Sequence, residues 1–98
     1  MTLFHIKTTM KFEWNENKRL INLQRHGFDF VGVSKAFDDL NALTVLDDRF
    51  NYGEIRFITF GSLNGRIVSV VHTESDEIIR IISLTLRSKL NRVQLPQS

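Results

Sequence analysis

The sequence predicts an α+β fold: a small, mostly antiparallel sheet with two N-terminal helices on one of its faces. Three observations lead there. Apolar residues recur at helical spacing only in the N-terminal part, as Leu20, Ile21 and Leu23 and then Phe30, Val33 and Phe37. From residue 42 onward the chain is a series of β-rich runs, two of which flank Asn64-Gly65. Strands segregated from helices in sequence are the mark of α+β architecture. At 98 residues the chain holds one core and is read as a single domain.

Each element has a local cause. Lys11-Phe12-Glu13-Trp14 alternates polar and apolar residues, which predicts a short strand. Asn15 is an N-cap residue type, and the amphipathic run from Glu16 ends at His26 before Gly27, a residue suited to the left-handed C′ position. Phe30, Val33, Phe37 and Leu40 continue at spacings of three and four as a second helix. Residues 42–46 form a strand and 47–54 a polar loop. Arg56–Leu63 and 66–72 form a hairpin around Asn64-Gly65, the residues a two-residue type I′ turn requires. That turn pairs Leu63 with Arg66, Gly61 with Val68, Thr59 with Val70 and Phe57 with His72. The alternate face, with Ile58, Phe60, Ile67 and Val71, is the more apolar in its middle, so the helices are expected there. The strip Phe57, Leu63, Val68 and Val70 is then left as a partner surface or as a seat for a C-terminal helix. Residues 78–84 make a further strand, and Leu86, Leu90 and Val93 among basic residues suggest a short helix ending near Pro96. Residues 1–9 lie outside the pattern and are read as a start-site extension or an extra edge strand.

Composition narrows the function. The chain has no Cys, which excludes disulfides and Cys-ligated metal centres. The apolar runs are far shorter than a membrane span and the N-terminus lacks a secretory pattern, so a cytoplasmic protein without membrane association is expected. There is no Walker loop, no Gly-x-Gly-x-x-Gly, no Gly-x-Ser-x-Gly and no paired His motif; no cofactor and no metal is expected. Asp38-Asp39 and Asp47-Asp48 are read as turn and cap residues rather than ligands. The net charge of +2 conceals an uneven distribution. Segment 36–54 carries Asp38, Asp39, Asp47, Asp48 and Glu54 against Arg49, whereas 1–35 and 86–98 are basic. A basic surface on a small α+β domain points to RNA or phosphate.

The residues left for chemistry are Lys18, His26, Tyr52, Arg56, His72 and Arg80. Arg80 interrupts Ile78-Ile79 and Ile81-Ile82; a charge at mid-strand must reach water, a carboxylate or a ligand. The planar guanidinium fork suits phosphate. Structural readings stand beside each: Arg80 as a bridge to Glu54 or Glu74, His26 as a helix cap, Tyr52 as a loop anchor.

In order and spacing these residues resemble the BrnT-type ribonuclease toxins of bacterial type II toxin–antitoxin systems. The resemblance rests on Phe12-Glu13-Trp14-Asn15 with Lys18 and Asn22, His26-Gly27, Phe37-Asp38-Asp39, Asp47-Asp48, Tyr52-Gly53-Glu54 with Arg56-Phe57, Val70-Val71-His72-Thr73 and Arg80-Ile81-Ile82-Ser83. It covers residues 10–84; residues 85–98 depart from the family, and Thr85 stands where such toxins carry an arginine.

The resemblance implies a RelE-like fold and a metal-independent endoribonuclease that arrests growth. It also implies a cognate ribbon–helix–helix antitoxin that neutralises the toxin in a hetero-oligomer and alone contacts operator DNA. Arg56 and Arg80 match the family's arginine positions, and Lys18 and His26 match its first helix. These four are the expected catalytic residues, with Tyr52, His72 and Arg87 on the RNA. The alternative is a homologue that retains antitoxin binding and operon autoregulation but cuts nothing. One difficulty accompanies the reading: if Arg80 pairs near Val70, Arg56 and Arg80 fall on different faces of the sheet.

Overall fold

The computed structural model describes residues 10–87. Strand β1 (Lys11–Trp14) leads into helix α1 (Glu16–His26), a 3-10 turn (Phe30–Gly32) and a short helix α2 (Ser34–Asp38). Four strands follow: β2 (Leu43–Asp47), β3 (Arg56–Leu63), β4 (Arg66–Ser75) and β5 (Ile78–Leu86). They form one five-stranded sheet in the order β1-β5-β4-β3-β2. The α+β class is as expected, but the sheet is mixed rather than mostly antiparallel, because β1 runs parallel to β5. A parallel neighbour arises here because β1 joins the sheet on the far side of the last strand, a pairing that local sequence does not announce.

The local signals acted as their chemistry dictates. The Asn15 side chain accepts from the Lys18 backbone N–H at 3.1 Å, and Gly27 closes α1 at φ 77° while its N–H donates to the Leu23 carbonyl. Asn64 and Gly65 both have positive φ, as a type I′ turn demands, and the β3–β4 register is the one that turn fixes. The second helix is broken instead of continuous. The Asp29 carboxylate caps the 3-10 turn through the Val31 N–H, and α2 stops at Asp38, leaving Leu40 almost wholly exposed. Strand β5 continues to Leu86, through part of the segment expected to begin a helix. The rest of that expected helix, and residues 1–9, lie outside the described residues.

The helices occupy the face opposite to the one expected. The main core joins Phe30, Val33, Ala36 and Phe37 to Leu63, Val68, Val70, Ile79, Ile81 and Leu84. The strip Phe57, Leu63, Val68 and Val70 is therefore a seat for the helices and not a partner surface. Gly61 explains the choice: a Cβ there would lie 2.1 Å from the Ala36 carbonyl oxygen, so only glycine lets α2 press its backbone onto β3. The other face carries a smaller apolar cluster of Ile58 and Val71 with Val45, Phe60 and Ile82.

Beyond the end of β1, α1 runs beside β5, and Asn22 does there what a neighbouring strand would do. Its side-chain amide donates to the Leu84 carbonyl at 2.7 Å and accepts from the Leu84 N–H at 3.1 Å. The primary amide thus reproduces a peptide group and satisfies a buried strand edge.

Candidate active site

The register of β5 brings the two arginines together. Val71 pairs with Ser83 but His72 pairs with Ile81, so Ile82 is an extra residue and β5 carries a bulge. Past the bulge, Arg80 faces Thr73. Phe57 faces His72, and one residue further on Arg56 reaches the level of Thr73 from the other side. Arg56 and Arg80 consequently share a face, correcting the expectation that they diverge. The bulge in β5, at Ile82, is what removes the conflict.

Glu54 joins them. Its Oε2 accepts from Arg56 Nε at 2.9 Å and its Oε1 accepts from Arg80 Nη2 at 3.1 Å. The hydrogen bond from Arg56 above all, with the charges of Arg56, Arg80 and Lys18, holds the Glu54 carboxyl below its usual pKa. The Arg80 side chain is 47% exposed and that of Arg56 21%, so neither is sealed from solvent. The Arg56 guanidinium also stacks 4.1 Å above the Tyr52 ring. Tyr52 is in turn anchored: its hydroxyl donates to Asp47 Oδ2 at 3.0 Å. Burial, and then this bond, raise the Tyr52 pKa. Asp47 is itself buried, which alone would raise its pKa, but hydrogen bonds from the Arg49 side chain and backbone and from Tyr52 outweigh burial and lower it. Asp47 is thus a structural anchor, and Asp39, bonded to the Asn41 and Ser62 N–H groups, is a cap.

Lys18 and His26 lie on α1 and line one cleft of about 210 Å³ with Ile21, Asn22, Arg25, Ile82 and Ser83. Lys18 also contributes, as the smallest of the causes, to the lowered pKa of Glu54. Arg87 sits over the Phe60 ring at 5.6 Å, away from the Glu54 cluster along the sheet. His72 is the residue that the structure removes from the RNA surface. It has no solvent exposure, lies on the helix-covered face between Phe37 and Phe57, and bonds Thr59 Oγ1 through Nε2 at 2.8 Å. Burial pushes its pKa down to about 4, so it is neutral, and the Glu74 carboxylate 3.5 Å from Nδ1 forms no ion pair with it. Among the described residues, no three His, Asp or Glu side chains converge as a metal site.

Sequence reasoning offered Glu54 only as a structural bridge to Arg80. The Glu54-x-Arg56 spacing carried more, because residues two apart at a strand end share a face. Asn22 gave no signal of its edge-capping role, which depends on a contact across most of the chain.

The arrangement is a cluster of cations around a carboxylate on one sheet face. Residues 14–89 match the family described as the ribonuclease toxin, BrnT, of type II toxin-antitoxin systems. The chain belongs to this BrnT family. The match includes the Tyr52-Gly53-Glu54 and Arg80 segments and runs past residue 84. No curated protein matches the chain. Membership makes it a ribonuclease toxin with RNA as substrate and an antitoxin as partner. Among the described residues, no helix is long and apolar enough to cross a membrane.

Proposed function

We propose that this BrnT-family chain is a metal-independent endoribonuclease that cleaves RNA by attack of a ribose 2′-hydroxyl on the adjacent phosphorus. The convergence of Arg56 and Arg80 on one face carries the reading. Each guanidinium has five N–H donors, so binding Glu54 leaves donors for the phosphoryl oxygens, on which negative charge builds in the transition state. Lys18 or His26, on the adjoining cleft, transfers a proton at the leaving oxygen. Tyr52 fixes Arg56 and borders the site where a base would stack, and Arg87 meets the RNA backbone further along.

The proposal extends to the biology. The fold is of the RelE type, the toxin acts in the cytoplasm to arrest growth, and its antitoxin is a ribbon–helix–helix protein that carries the complex to operator DNA. The acidic segment 36–54 includes the edge strand β2, where Leu43 and Leu46 are exposed, and suits a basic antitoxin. The presence of Thr85 instead of an arginine favours the second reading, a homologue that binds antitoxin but leaves RNA intact.

Labelled RNA incubated with the purified chain, with and without EDTA, separates the two. Cleavage that survives EDTA and disappears in Arg80→Ala supports the nuclease. An Arg80→Ala chain that stays folded and still arrests growth in a host lacking the antitoxin sinks the assignment.

A further inference from the structure

We propose that Glu54 is the general base of the reaction, the group that takes the proton from the attacking 2′-hydroxyl. The inference rests on the ribonuclease reading above and adds to it the one function that reading leaves without a residue.

The two arginines define where the phosphate must lie, and Glu54 lies between them. Its two oxygens each accept one hydrogen bond, from Arg56 Nε and from Arg80 Nη2. A carboxylate has about four acceptor positions, so one stays available on each oxygen for a third partner. A phosphodiester held by the outer N–H groups of both forks places its neighbouring 2′-hydroxyl beside that carboxylate. Glu54 need not be displaced for this. The carboxylate is partly exposed, at 34%, and lines a cleft with Glu13, Thr73, Glu74 and Arg80.

The charged groups around it are Lys18 from α1, Glu13 from β1, Glu74 from β4, Arg80 from β5, and Arg56 beside it on β3. In the free enzyme the cations make Glu54 a weak base, ionised well into the acid range. A bound phosphodiester adds negative charge against the same cations and restores basicity when substrate arrives.

The step balances without a further reactant. The 2′-O–H proton passes to a Glu54 oxygen as the 2′-O–P bond forms. The P–O5′ bond breaks, and the 5′-oxygen takes its proton from Lys18 or His26. The products are a 2′,3′-cyclic phosphate and a 5′-hydroxyl.

The test uses the full chain and a labelled RNA oligonucleotide. Glu54→Gln keeps the size of the side chain and an oxygen acceptor for one of the two arginines but cannot take a proton. Its kcat/KM is expected to fall about 10²–10⁴-fold, with loss of the acid limb of the pH profile and an unchanged melting temperature. A second arm uses RNA with a sulfur at the bridging 5′ position, a leaving group that needs no acid. The Glu54→Gln deficit persists on this substrate, whereas replacement of the acid on α1 is compensated. A third arm adds formate to Glu54→Ala, and restored cleavage marks a lost base. Wild-type cleavage by Glu54→Gln with the acid limb intact, or no response of Glu54→Ala to formate, overturns the proposal while the nuclease reading stands. A wild-type chain inert on RNA removes both.

Discussion

His72 and Thr73 are neighbours on β4, yet they face opposite chemical worlds. His72 points among Phe37, Phe57 and Thr59 with no exposure, and burial keeps its imidazole neutral. Thr73 points the other way, level with Arg80 and Arg56, where the Glu54 pKa is held low and the arginine side chains are partly exposed. A single strand thus separates a core that tolerates no charge from a site that consists of charges. The difference teaches how a chain of 98 residues keeps stability and chemistry apart: strand alternation assigns them to different faces.

If the two faces are separate in this sense, changes on them should have separable effects. Arg80→Ala is expected to reduce RNA cleavage about 10²–10³-fold, the effect of removing one transition-state hydrogen-bond donor group. The urea midpoint should stay near that of the wild type, and a large fall in it would break the separation.

His72 gives the converse result, a change in stability alone. In the unfolded chain its imidazole takes up a proton near pH 6.5, but in the fold only near pH 4. The unfolded state therefore binds the proton first as pH falls. The full stability is present above about pH 6.5, and about 3 kcal/mol is lost on the way down to pH 4. His72→Leu should flatten that part of the stability profile, measured by urea unfolding at several pH values. Thr59 keeps the Thr44 hydroxyl as its partner at 2.7 Å.

Gly61→Ala tests whether α2 is truly held against β3. The new Cβ has no room before the Ala36 carbonyl, and a loss of about 2 kcal/mol is expected from urea unfolding. The smallest effect belongs to Arg19→Ala. Arg19 bridges Glu16 and Asp29 in contact with solvent, and its removal should leave the urea midpoint unchanged within error.

What was legible in the sequence was what neighbouring residues decide. Asn15 and Gly27 bound α1, and Asn64-Gly65 sets the β3–β4 register, because caps and tight turns act over two to four residues. The face covered by helices was misread because both faces of the hairpin are apolar. The deciding residue, Gly61, acts through a contact with Ala36 that has no local signature. The parallel pairing of β1 with β5 joins the two ends of the described chain and was hidden for the same reason. Of the site, Arg56, Arg80 and Tyr52 were picked out by residue type and now stand together. His72 was selected on type alone, and its burial removes it from the RNA surface. Glu54 is legible as one of two bridging partners for Arg80, and the bond is formed; its place between two arginines depends on the register of β5 and is not legible.

That register turns on the extra residue at Ile82. Ahead of it the odd-numbered positions Ile79 and Ile81 enter the core; after it the even-numbered Leu84 does. Arg80 is even-numbered too, so an uninterrupted strand would force Arg80 and Leu84 onto the same side. Either a guanidinium would enter the core or a leucine would leave it. The bulge acts as a change of step that lets one strand obey two opposite demands: with Ile82 standing outside the pairing, Ile81 and Ser83 meet the consecutive residues His72 and Val71, and Ile79, Ile81 and Leu84 all face the core while Arg80 faces water.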